Sequence, residues 1–216
     1  MNNNLTSTTT LKDYWKKALT PLENQSPISE EVFLDLTKAY GQPGRFYHNL
    51  DHIQQVLVAI EEMSFLTQNT QTLFLAAWFH DFVYDPKSSD NEEKSAAQAE
   101  NYLKQLHLPN PLINRVIELI LITKKHLPKS NDLDQYILLD ADLSILGATP
   151  HIYQNYAQGI RQEYDWVPEE EYRYKRQKVL LSFLDRKRLY FTNHCWHKLE
   201  ASARKNIESE IACLAT

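Results

Sequence analysis

Glycine and proline set the first limit on what this chain can fold into. Only four glycines occur in 216 residues, and the nine prolines fall at points that separate periodic segments. Tight hairpins depend on residues that tolerate positive φ, whereas proline at segment boundaries is how helices are started and stopped. Short alternating apolar and polar runs joined by glycine-containing turns are missing. The pattern predicts an all-α fold of about eight to ten helices. They are expected near 11–19, 29–40, 50–66, 71–84, 90–106, 110–126, 131–146, 150–164, 168–188 and 194–213.

Residues 110–122, NPLINRVIELILI, carry apolar side chains on too many sides for a surface helix, so this helix is expected at the centre. Trp196, Leu199, Ala203, Ile207, Ile211 and Leu214 form one stripe, so the last helix should pack on the main body. Neither a repeat nor a linker longer than a turn breaks the chain. The expected organisation is a disordered tail over 1–10, MNNNLTSTTT, and a single domain over 11–216.

Composition excludes several function classes. A formal charge of -5 and a pI near 5.9 give no global basic field, which disfavours nucleic acid and anionic membranes as partners. No apolar run reaches the roughly 18 residues of a membrane span, and the polar start does not resemble a secretory leader. Cys195 and Cys213 fall on one predicted helix, roughly 27 Å apart at 1.5 Å per residue, and cannot pair if it is continuous. A cytoplasmic, reducing location is expected, with a monomer or homodimer equally open.

Chemistry begins at residues 73–86, LFLAAWFHDFVYDP, where an apolar run places His80 beside Asp81. An imidazole and a carboxylate buried without partners cost several kcal/mol, about 2–7 for a neutral polar group and more for a charge. A His-Asp pair on its own is most simply a hydrogen-bonded structural pair. Other polar residues in apolar surroundings change that reading. His48 and His52 lie four apart at a helix start and share a face. Asp140 and Asp142 interrupt the apolar stretch ILLDADLSILG. In order the chain offers His, His-Asp and Asp on separate helices, a mixed nitrogen and oxygen set suited to Mn, Fe, Co, Ni or Zn.

The order His52, His80-Asp81, Asp142 on a helical background resembles the HD superfamily of metal-dependent phosphohydrolases. The strings YHNLDHI, FHDFVYDP followed by DNEEKSA, LITKKH, LDADLSILG, IRQEYDWV and FLDRKRLYFT resemble one uncharacterised branch of it, over residues 40–192. The resemblance implies a single HD-type helical domain and a divalent metal, one ion or two, Mg among the candidates. It implies His52, His80, Asp81 and Asp142 as ligands, with Asp140 as the competing choice for the fourth. Two residues apart on a helix, the two aspartates face different directions, so one of them is the ligand. The implied activity is hydrolysis of a phosphoester of a small molecule, a nucleotide among the possibilities. Alternatives are an HD-fold di-iron oxygenase and a non-catalytic metal- or nucleotide-binding regulator.

The better-studied nucleotidase branch places a Glu three residues after the doublet, where this chain has Tyr84 and then Asp85. Four residues after Asp81, Asp85 is a candidate to handle the water's proton; the alternative is an ordinary helix-end residue before Pro86. His126, in the string TKKH, is a candidate leaving-group acid or ligand to a second metal, and Lys124 or Lys125 a candidate phosphate binder; a cationic helix end is the simpler alternative. His48 and Arg45 are candidate substrate contacts, as is Arg161, with Arg176 and Arg186 in matching strings. A solvated helix face accounts equally well for EEEYRYKRQK. His107, His151, His194 and His197 are assigned to surface or capping roles.

Overall fold

Ten α-helices and two 3-10 turns make up the regular structure of the described residues, 10–20 and 27–215, in a computed structural model with no strand among them. In chain order these are α1 (Leu11–Leu19), α2 (Pro27–Tyr40), α3 (Leu50–Glu62), α4 (Thr70–Phe79) and α5 (Asn91–Gln105). They are followed by α6 (Asn110–Thr123), α7 (Leu133–Asp142), α8 (Pro150–Glu163), α9 (Glu169–Leu184) and α10 (Asn193–Leu214). The 3-10 turns, Ser64–Leu66 and Leu143–Gly147, extend α3 and α7. The chain is all-α, as its glycine and proline usage requires. No described helix is long and apolar enough to cross a membrane. Residues 1–9 of the expected tail lie outside the described residues, and Thr10 is an ordered N-cap: its hydroxyl accepts from the Asp13 amide while Asp13 answers to the Thr10 amide.

The central helix is α4, not α6 as the apolar content of 110–122 suggested. Every residue from Thr72 to Phe79 is buried, and α4 touches α1, α3, α5, α6 and α7. Its apolar residues point in all directions, so no side remains for solvent. In α6, by contrast, Leu112, Ile117 and Leu121 are only partly buried, because that helix covers α4, α5 and α7 from one side. Trp15 and Phe33 pack edge-on against Trp78, with centroids 6.0 and 5.8 Å away, which locks α1 and α2 onto α4.

The last helix docks as expected: Ala203 and Ile207 are fully buried, while Trp196 at its outer end stays more than a third exposed. Gly147 lets it approach. A Cβ there would stand 2.6 Å from Leu199 Cβ, so the backbone of the second 3-10 turn lies directly against α10. Since α10 is continuous, Cys195 and Cys213 stand apart, one buried and one exposed, and neither forms a disulfide.

Candidate metal centre

Three helices deliver the candidate ligands. Asn49 starts α3 by accepting hydrogen bonds from the amides of Asp51 and His52, at 2.9 and 3.3 Å, which places His52 on the first turn facing inward. Ile53, Val56, Leu57 and Ile60 bury the same helix against α4 and α7. Asp132 caps α7 in the same way, through the amides of Asp134 and Gln135, and Asp142 is its last residue.

The end of α4 departs from expectation. A helix over 71–84 would have put Asp81 and Asp85 one turn apart; α4 stops at Phe79, and a non-helical turn carries Asp81 to Asp85. The reason lies 36 residues earlier. The Arg45 guanidinium donates to the carbonyls of Asp81 and Phe82 at 2.7 and 2.8 Å, and to that of His48 at 3.1 Å. It thereby satisfies acceptors that a continuing helix would have used. Ser95 holds both the amide and the carbonyl of Val83, and Asn91 does the same for Asp85. The segment after the HD doublet is thus bolted to α5.

The side chains meet in one cluster. His52 Nε2 and His80 Nε2 are 3.3 Å apart, and Asp81 Oδ2 lies 3.1 Å from His80 and 3.7 Å from His52. Asp142 Oδ1 lies 3.4 Å from His52 and 3.6 Å from His80. Neighbouring donors bound at 2.0–2.2 Å to a single ion with octahedral or tetrahedral angles lie about 2.8–3.6 Å apart, so these separations fall within that range or about 0.1 Å beyond it. The His52, His80 and Asp81 group can hold a metal ion. The His80 Nδ1–H donates to the Ala77 carbonyl at 2.9 Å, which turns Nε2 to the cluster.

Burial would lower His80, but the Asp81 and Asp142 carboxylates outweigh it and hold this imidazole well above its usual range, so an ion would have to displace its Nε2 proton. Burial, reinforced by the neighbouring His80, pushes the His52 imidazole down to about 4 and keeps it neutral, the form that ligates. Burial would raise Asp81 and Asp142, but His80 and the other facing imidazoles outweigh it and hold both carboxyls below their usual range.

The choice between the two aspartates of α7 resolves on hydrogen bonds. Asp140 Oδ1 accepts from the Phe191 amide at 2.7 Å, and Oδ2 from the Thr192 amide and hydroxyl at 2.8 and 2.7 Å. Its carboxylate is consumed in anchoring the segment before α10, even though burial pushes it up to about 6.

Two histidines flank the cluster. His48 donates from Nδ1 to Glu163 Oε2 at 2.7 Å and turns Nε2 toward Asp81 Oδ2, 4.0 Å away. Glu163 also takes the Tyr84 hydroxyl at 2.8 Å and the amides of Tyr47 and His48 at 2.7 and 2.9 Å. Tyr84, standing where a Glu was expected, therefore supports a different carboxylate. Gly159 permits the close approach: a Cβ would lie 3.2 Å from both Phe46 O and Tyr47 Cβ, tight enough to push this loop back by a few tenths of an ångström. On the other side His126 Nε2 lies 3.0 Å from Asp142 Oδ2. Its backbone is left-handed, φ 47°, an uncommon state for a residue with a Cβ, and Arg186 secures the turn by donating to the Lys125 and His126 carbonyls.

Several expected substrate contacts are engaged elsewhere. Arg45 is buried among carbonyls and faces no cavity. Arg161 spans the turn after α8, donating to Tyr164 O, Val167 O and Glu169, with its guanidinium over the Tyr172 ring. Asp85 is exposed and accepts from the Lys87 amide, the geometry of a turn residue. Lys125 is exposed and outside the cavity walls. Lys124 does line the cavity rim, held by Glu93 and the Ser89 carbonyl. His107 is left-handed at the end of α5, where Leu108 bonds back to Leu103, an ordinary helix-terminating cap.

Glu163 is the site residue that sequence reading passed over, although the string IRQEYDWV contains it. A signal was present: Tyr153, Tyr156, Ile160 and Glu163 follow helical spacing, so this carboxylate continues an apolar stripe. A search of protein-family models, of curated proteins and of solved structures found no match to this chain.

Proposed function

We propose that this protein is a metal-dependent phosphohydrolase acting on a small molecule, with His52, His80, Asp81 and Asp142 holding one divalent ion. The observation that supports this most directly is the convergence of His52, His80 and Asp81 within 3.1–3.7 Å of one another, with Asp142 3.4 and 3.6 Å from the two imidazoles, beside a cavity of about 410 Å³ that Asp142 lines. An ion held there lowers the pKa of a water and polarises a phosphoryl oxygen, two effects that phosphoester hydrolysis needs. The family resemblance points the same way.

The chain's own groups divide the remaining work. His48, set by Glu163 with Nε2 toward the cluster, is placed to accept the proton of an attacking water. His126 orients Asp142 and faces the cavity, where it is placed to protonate the departing oxygen. Lys124 at the rim is held by an exposed ion pair worth little, so a phosphate can displace Glu93 from it. Two cysteines outside any disulfide agree with a reducing setting.

The oxygenase alternative requires a second ion. The donors on that flank are His126 Nε2 and Asp142 Oδ2, and Asp85, which was expected to add to them, is turned to the Lys87 amide. This favours hydrolysis. The deciding experiment is elemental metal content per chain, wild type against Asp81→Ala, followed by phosphate release with Mn or Mg and oxygen uptake with iron. About one equivalent lost in the mutant, with phosphate release, supports the reading. Oxygen consumption with iron alone transfers the site to the oxygenase class, and absence of any bound metal refutes both.

A further inference from the structure

The candidate centre opens into two cavities that share His48, Lys124, His126, Asp142 and Tyr164. Their walls differ in kind. One, of about 370 Å³, is bounded on its far side by Ser88, Ser89, Asn91 and Glu92. The other, of about 410 Å³, is bounded beyond the shared residues by Leu146, Ile160, Val167, Val179 and Phe183, together with tyrosine rings from α3's approach loop, α8 and α9. Both volumes lie in the ordinary range for small-molecule sites.

Recognition of a nucleobase or sugar needs donors and acceptors free to face it, because unpaired polar atoms of a ligand resist burial in apolar surroundings. The cations on the wall of the larger cavity are already committed. Arg176 is buried and paired with both oxygens of Glu210, at 2.7 and 3.1 Å, and its remaining reach goes to the Tyr156 hydroxyl at 3.1 Å. Lys175, at the exposed rim, pairs with Glu171 at 2.5 Å. Apart from the hydroxyls of Tyr47, Tyr156, Tyr164 and Tyr172, what the cavity offers is hydrocarbon and ring faces.

We infer that the apolar cavity between α8 and α9 receives the body of the substrate, which is a phosphate monoester of an apolar alcohol or phenol and not a nucleotide. The inference rests on the hydrolase reading and narrows its substrate. The phosphate lies at the end where Asp142, His126 and Lys124 are shared, and the hydrocarbon part lies along Ile160, Val179 and Phe183. Hydrolysis of such an ester breaks one P–O bond, with water supplying hydroxyl to phosphorus and a proton to the alcohol, and needs no other reactant.

Straight-chain alkyl phosphonates from ethyl to octyl, which bind without being cleaved, test this by calorimetric titration into the manganese-loaded protein beside adenosine 5′-monophosphate. The expected result is a Kd that falls about fourfold per added methylene, the gain of burying one CH₂, with hexylphosphonate binding more tightly than the nucleotide. Val179→Trp, at a half-exposed position on the rim, should erase the dependence on chain length. Ile160→Phe should do the same from the opposite wall. Affinity that is flat with chain length, or tighter for the nucleotide, in a protein whose ethylphosphonate binding still depends on metal and on Asp81, overturns the cavity assignment and leaves the metal centre standing. Ethylphosphonate binding that ignores both chelation and Asp81→Ala overturns the metal reading, and this inference with it.

Discussion

Asp140 and Asp142 lie two residues apart on α7, and their carboxylates turn to different neighbours: Asp140 to the Thr192 amide and hydroxyl, Asp142 to His52, His80 and His126. One aspartate serves the fold and the other the cluster. Asp142→Ala is expected to lose bound metal while keeping its helical circular dichroism. Asp140→Ala should retain the capacity for metal but unfold at lower denaturant, by about 2–4 kcal/mol, since three buried donors lose their acceptor. Metal content and urea midpoints measured on both variants check this, and a reversed pattern would exchange the two roles.

Glu163 reaches no ligand of the cluster directly, yet four of its hydrogen bonds converge on the segment that carries His48 and on Tyr84. Glu163→Gln should leave metal content unchanged and lower phosphate release about 10- to 100-fold, as expected when the partner that orients an imidazole is replaced. The loss should appear chiefly in kcat. A variant with normal kcat would remove His48 from the proton-transfer role.

Arg45 separates a structural cation from a substrate-binding one. Its three carbonyl acceptors belong to the loop before α3 and to the turn after α4. Arg45→Lys should cost about 2 kcal/mol of stability, because an ammonium cannot reproduce the planar fork, and should weaken metal retention through the Asp81 turn. Had Arg45 bound phosphate, phosphonate affinity would fall while the urea midpoint stayed in place.

Gly159→Ala sets two effects against each other. Alanine favours the helix by up to about 1 kcal/mol, whereas its Cβ must push Phe46 and Tyr47 back by a few tenths of an ångström. A nearly unchanged melting temperature with about a tenfold loss of kcat/KM is expected, since small displacements of positioned groups are costly to catalysis. Parallel kinetics and thermal melts on the one variant measure both sides.

The helical class and the positions of the ligand-bearing segments were legible because they depend on local periodicity and on polar residues set in apolar runs. His52, His80, Asp81 and Asp142 stand out from their neighbours in that way. What escaped reading is non-local. The early end of α4 is written in Arg45, a residue distant along the chain, and nothing within LFLAAWFHDFVYDP announces it. The long cations Arg45 and Arg161 were expected at a substrate because their charge suggested phosphate; in the fold they find carbonyls, which sequence does not mark. Asp140 and Asp142 could be told apart only by the arrival of Thr192.

That arrival bears on the order in which a growing chain acquires its chemistry. His52 and the His80-Asp81 pair leave the ribosome early, and Asp142 some sixty residues later. Even then α7 lacks the segment, Phe191 and Thr192, that holds Asp140 in place. The final seating of α7 therefore depends on a segment about fifty residues further along the chain.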